Sequence, residues 1–236
     1  MPATPEELAP GVHRIDAVGI SRLISVFAIR DDGGWTLVDT GIRSSPKRIQ
    51  AALSALGVRP ADLTAIYLTH HHSDHIGGAP GMRAWAPDAE VVAPEHEADV
   101  IAAERPMDPS SSRVFQVLRQ WSSLPIVPVT RAVSPGATIA GFRVLATPGH
   151  TLGHTSLLSE QHGLLLTADA FGAMPRRLRV GVRAAFCTDP ALAKRSAETL
   201  LGEEYGTVAF THGPVLRDRP KDVLRQIVAD CRYPGS

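Results

Sequence analysis

Cysteine is scarce in this sequence: Cys187 and Cys231 are far apart and lack CxxC spacing. That excludes a disulfide framework and a thiolate zinc site, so both side chains are expected as reduced thiols. Net charge is missing as well, because 24 Lys and Arg balance 24 Asp and Glu. Without a basic excess there is no electrostatic term for nucleic acid, and the densest basic stretch, RRLRVGVR (176–183), is too short to restore it. No segment approaches the roughly 18 consecutive apolar residues of a membrane span, and MPATPEELAPG has neither the basic nor the apolar part of an export signal. The expectation is a soluble cytoplasmic protein acting on a small molecule, with no nucleic-acid or membrane partner. A G-x-S-x-G elbow and a P-loop are also absent, so the chemistry has to come from elsewhere.

What is present is a chain of 236 residues, 44% hydrophobic, long enough for a substantial core and without an evident linker or repeat. One domain over 1–236 is the simplest organisation. SRLISVFAIR (21–30) reads as a buried strand, DDGG as a hairpin turn and WTLVDTG (35–41) as the return strand. SSPKRIQAALSALG carries Ser45, Pro46 and a closing Gly57, the marks of a capped helix. AIYL (65–68) is a short strand. In the second half, ATIAGFRVLATPG reads as a strand pair about Gly141 and TSLLSEQHGLLLTADA as a hairpin turning at 161–163. PALAKRSAETLLG reads as a helix, and TVAFTHG as a strand ending in histidine.

The stretch after AIYL, THHHSDHIGG, puts four histidines and an aspartate within residues 70–75, in the loop at the carboxyl end of a strand. Ligands bind at such strand ends in open α/β sheets. Zinc and similar divalent ions take imidazole and carboxylate ligands. In extended backbone His70 and His72 point the same way, which turns His71 elsewhere and excludes it as a ligand. Asp74 and His75 follow a turn and can address a second ion. TPGHTLGH, TADA and THG each deliver a further His or Asp after a strand. His13, His96 and His162 are read as surface residues.

The order H-x-H-x-D-H, then TPGHT, TADA and THG, with Asp39 in LVDTG before them, resembles the metallo-β-lactamase-fold hydrolases over nearly the whole chain. The resemblance implies an αββα sandwich, two mixed β-sheets with helices outside. It implies His70, His72 and His150 on one metal, Asp74, His75 and His212 on another, and Asp169 bridging them. Zinc is the first expectation for both ions; iron or manganese also fits the mixed N/O ligand set. Asp39 resembles the family's aspartate that hydrogen-bonds and orients the ligand loop, and His154 could support the same surroundings.

Such a pair of metals implies hydrolysis of a small ester, thioester or lactone through a metal-bridging hydroxide, with Asp169 holding the pair and Asp74 additionally moving a proton. Three departures bear on the branch. True metallo-β-lactamases typically carry Cys or Ser at the position of Asp169. Glyoxalase II carries an extra C-terminal helical region, where only PKDVLRQIVADC follows here. Lactonases often have a tyrosine close after the bridging Asp, where this chain has Phe171. The alternatives are a mononuclear iron persulfide dioxygenase-like enzyme or a β-lactam hydrolase. A lid is expected around 104–126, with Met107, Phe115, Leu118 and Trp121, together with Phe171, walling an apolar substrate pocket; exposed apolar lid residues are compatible with a homodimer. Asp169→Ala is expected to lose metal and most activity, His71→Ala little.

Overall fold

In a computed structural model, which describes residues 4–120, 124–174 and 177–233, the apolar runs become strands buried on both faces. The first sheet takes β1 (Glu6–Ala9), β2 (Val12–Asp16), β3 (Ser25–Asp31), β4 (Gly34–Val38), β5 (Leu63–Tyr67), β6 (Glu90–Pro94) and β7 (Arg131–Val133) in sequence order. Its pairings are antiparallel up to β4 and parallel from β4 to β7. The second contains β8 (Thr138–Ile139), β9 (Phe142–Ala146), β10 (Thr155–Ser159) and β11 (Leu164–Leu166). A separate ribbon, β12 (Phe171–Ala173) with β13 (Leu178–Val180), follows, before β14 (Thr207–Ala209) and β15 (Val215–Leu216) complete the second sheet in the order β15-β14-β11-β10-β9-β8.

Because side chains alternate along a strand, each apolar run serves two cores. Phe27 and Ile29 of β3 meet Leu157 of β10 and Leu164 and Leu166 of β11 between the sheets. Val26 and Ala28 face outward onto α1 (Pro46–Ala55), α3 (Ala79–Trp85) and α4 (Glu95–Ile101), through Ile49, Leu53, Met82 and Ile101. On the far side Leu158 and Leu165 meet α6 (Pro190–Leu200) and α7 (Pro220–Ala229), through Ala197, Leu200 and Leu224. The result is a four-layer αββα sandwich. Among the described residues no helix is long and apolar enough to cross a membrane.

Local signals account for the ends of elements. Ala140 and Gly141, both at positive φ, make the two-residue turn between β8 and β9. Asp189 caps α6 by accepting the Leu192 N–H at 2.9 Å. Ser45 does not cap α1; its hydroxyl accepts the Ile42 N–H at 3.1 Å and fixes the preceding turn instead. The expected strand at 21–30 begins only at Ser25, because residues 17–24 form a loop closed by Ala17 N–H on the Ile24 carbonyl.

Candidate metal centre

Every cluster residue sits at the carboxyl end of a strand, where the backbone leaves its sheet. After β5, His72 is still extended (φ −69°, ψ 148°), and the chain then winds into one helical turn, α2 (Ser73–Ile76), that carries Asp74 and His75. The histidine run was expected wholly as a loop; its second half is helix. Gly78 permits the close packing beneath it: a Cβ there would lie 2.2 Å from the Thr40 carbonyl oxygen. From the second sheet, His150 follows β9, Asp169 follows β11 and His212 follows β14.

Two groups result, each drawing side chains from both sheets. One ligand atom from each of His70, His72, His150 and Asp169 lies within 4.8 Å of the others, and the same holds for Asp74, His75 and His212. Asp169 faces both groups: its Oδ2 is 3.2 Å from His150 Nε2, while its Oδ1 is 3.5 Å from both His75 Nε2 and His212 Nε2. His212 Nε2 also lies 3.2 Å from Asp74 Oδ2. His70 Nε2, His75 Nε2 and Asp169 Oδ1 are buried without a hydrogen-bond partner among the described residues. Orphaned donor atoms of this kind are costly in a folded interior, and their convergence fits a dinuclear metal site.

The Metallo-beta-lactamase superfamily model matches residues 21–212. The chain belongs to this superfamily. It is 27% identical over 224 residues to the uncharacterized protein YobT of Bacillus subtilis, covering 89% of this chain and 91% of that one. A hydroxyacylglutathione hydrolase of Stenotrophomonas maltophilia is 34% identical over 134 residues, 57% of this chain and 41% of that one. The chain spans about half the length of several such hydrolases. Among solved structures, a Cronobacter sakazakii metallo-beta-lactamase with an HARLDQ motif aligns with a TM-score of 0.69 at 25% identity, over 89% of this chain and 78% of that one.

Around this superfamily site the orienting contacts are specific. Asp39 Oδ2 accepts from His75 Nδ1 at 2.7 Å, and Asp39 Oδ1 accepts the Thr69 N–H at 2.9 Å. His150 Nδ1 donates to the Gly181 carbonyl at 3.2 Å and His212 Nδ1 to the Leu23 carbonyl. These anchors turn the Nε2 atoms inward, whereas His72 presents Nδ1, 2.8 Å from His150 Nε2. His154 accepts the Asp169 N–H on Nε2 at 3.0 Å. Its Nδ1 therefore carries the proton and donates to Thr147, making it a support for the Asp169 turn and not a ligand.

Electrostatics follow from burial and neighbours. Burial and surrounding imidazoles hold His70 well below its usual value, and burial with His150 takes His154 down to about 3. Burial also pulls on His75 and His212, but Asp39 and Asp169 outweigh it at His75, and Asp169 and Asp74 bring His212 up to about 9. Burial would raise Asp169, yet His212, His75 and His150 hold it well below the ordinary carboxylate range.

A cavity of about 290 Å3 opens onto the site, walled by Met107, Leu124, Met174, Val182 and Phe186. Phe171, expected on this wall, is fully buried in the core of the second sheet with Val180 and Phe210. The reason is the turn closed by Ala170 N–H on the Thr167 carbonyl, which breaks the extended path from Asp169. Trp121 and the side chains of Phe115 and Leu118 lie outside the described residues. Within the same segment α5 (Arg113–Gln120) exposes Val114 and Val117 to solvent. His13, His96 and His162, read as surface residues, are each half-buried.

His71 lies outside both groups, pointing away from them as expected, and its side chain has a partner of its own. It is fully buried, with Nδ1 2.6 Å from Glu97 Oε2. Glu97, also fully buried, was missed by sequence reading: it lies in an ordinary amphipathic helix with nothing in its own vicinity to mark it.

Proposed function

We propose that the protein is a binuclear metal-dependent hydrolase of small esters, thioesters or lactones. The observation that carries the reading is Asp169, whose two oxygens face the two imidazole groups separately. His70, His72 and His150 would hold one ion, Asp74, His75 and His212 the other, with Asp169 shared and zinc the expected metal for such N/O donors. When bound, such a pair acidifies a shared water to a nucleophile at neutral pH and polarises a carbonyl.

The chain's own residues supply the rest. Asp39, Gly181 and Leu23 keep protons on the outward nitrogens of His75, His150 and His212, so the inward lone pairs remain available. Asp74, a carboxylate about a third exposed and on the cavity wall, can take up the proton given off by the attacking water and deliver it to the departing oxygen or sulfur. The apolar wall, with no lysine or arginine among its described residues, supports a neutral, apolar group next to the scissile bond. A second cavity of about 570 Å3 shares Ser73 and Leu124 with the first and continues past Ile42, Pro80 and Pro125, which supports a substrate with an extended arm. Met107 and Leu124, from the two ends of segment 104–126, both line the first cavity, in keeping with a lid there.

The test is elemental analysis with initial rates on a panel of lactones, thioesters, aryl esters and a β-lactam. About two equivalents of metal with turnover of one ester-type class supports the reading and selects its branch. A blank panel at full metal occupancy refutes it.

A further inference from the structure

We propose that Glu97 is a positioning residue that clamps together the two loops carrying His70, His72 and His150, gripping His71 on one side and Thr151 with Gly153 on the other. The inference rests on the metal-site reading above and adds a residue outside both ligand groups.

Glu97 lies in the first turn of α4, directly after β6, and its carboxylate points under the site. Oε2 accepts the His71 N–H at 2.8 Å and the His71 Nδ1–H at 2.6 Å. Oε1 accepts the Thr151 hydroxyl at 2.6 Å and the Gly153 N–H at 3.0 Å. One carboxylate thus takes four donors from two loops, and each set of donors is adjacent in sequence to the histidines of the first group. The approach is close enough to require glycine: a Cβ on Gly153 would stand 2.8 Å from Glu97 Oε1.

The arrangement is too specific for a packing contact. A fully buried carboxylate is costly unless its lone pairs are filled, and here they are filled by donors from the loops that must be held, not from its own helix. His71, Glu97 and Asp108 come close enough to resemble a third metal group. However, both Glu97 oxygens are saturated, and Asp108 already accepts from Leu152 N, His96 and Arg105. The cluster is a fastening. Asp108 extends it, tying segment 104–126 to the same 150–154 loop. Glu97 makes no hydrogen bond to the second group, Asp74, His75 and His212, whose anchors are Asp39, which also holds Thr69 next to His70, and the Leu23 carbonyl.

Because Glu97 bonds only to the loops of the first group, the proposal is testable by where the damage falls. In Glu97→Gln one oxygen becomes an amide that faces donors on either side, so one loop is released. Metal-free proteins would be titrated with Co2+ and with Zn2+ against a chelator, reading the Co2+ absorption bands and the melting temperature. In a His212→Ala background, which leaves the first group, Glu97→Gln is expected to weaken binding roughly 10- to 100-fold and shift the Co2+ bands. In a His150→Ala background, which leaves the second, binding should not change. His71→Asn, which keeps a side-chain N–H near the position of Nδ1, should bind like the parent, whereas His71→Leu should behave like Glu97→Gln. If Glu97→Gln does not fold, Thr151→Val removes a single donor and carries the same comparison. Equal losses in both backgrounds, or no loss in either, overturn the clamp. A parent protein that takes up neither ion overturns the metal-site reading and the clamp with it.

Discussion

Asp39→Asn isolates what one proton contributes to the site. Asp39 sits at φ +60°, a left-handed conformation that Asn adopts as readily as Asp, so the substitution leaves the backbone undisturbed where Ala would strain it. The Asp39 carboxylate accepts from Thr69 N and from His75 Nδ1. An amide cannot accept on both sides. With its oxygen kept on the Thr69 N–H, its NH2 turns to His75 and requires an acceptor at Nδ1. The imidazole proton then moves to Nε2, the atom that faces Asp169 at 3.5 Å. A lone pair needed by the second group is lost to the wrong tautomer. Loss of such an orienting partner costs about 10- to 100-fold in metal affinity, which is about 1.4–2.8 kcal/mol. Chelator competition on the variant reads this directly, with circular dichroism confirming an intact fold. Unchanged affinity of Asp74, His75 and His212 for Zn2+ would refute the tautomer argument.

Asp169→Ala should lose bound metal from both groups and most hydrolysis, by elemental analysis and initial rates; full activity would end the shared-ligand assignment. Phe171→Ala should act on stability alone. Removing a fully buried ring costs about 3–5 kcal/mol, or about 6–20 °C in melting temperature for a chain of this size, with no change in substrate preference among the panel. The metal-free protein should be sensitive to alkali. Burial lowers His212 but Asp169 and Asp74 raise it to about 9, above its ordinary 6.5, so this contribution to stability is complete below pH 6.5 and fades as pH rises through about 9. Melting curves across that window check the sign, and zinc affinity should strengthen over the same window as the competing proton leaves.

Much of this was legible because it is written in local spacing. Gly141 between apolar runs specifies a strand pair, PALAKRSAETLLG a helix, and H-x-H a pair of side chains on one face of extended backbone. Three things were not legible, for physical reasons. The α2 turn is only four residues long, below the length at which apolar periodicity can be read. Phe171 is two residues after Asp169, and in a continuous strand both would face the cavity; the turn at 167–170 is held by a backbone hydrogen bond that no side-chain pattern announces. Glu97 is 26 residues from His71 and 54 from Thr151, so its role exists only after tertiary contact has formed. Such a residue looks like any other glutamate in a helix.

Each ligand group takes its members from both sheets: His72 meets His150 across 78 residues of chain, and His75 and His212 belong to opposite halves. Neither half alone holds a complete donor set. A cation that needs a complete group is therefore bound by the docked halves, unlike the ion of a small metal-stabilised domain, whose ligands lie close together in one short chain. Discrimination among ions is then exercised by a finished cavity, which the histidine run alone, with its four imidazoles in six residues, cannot supply.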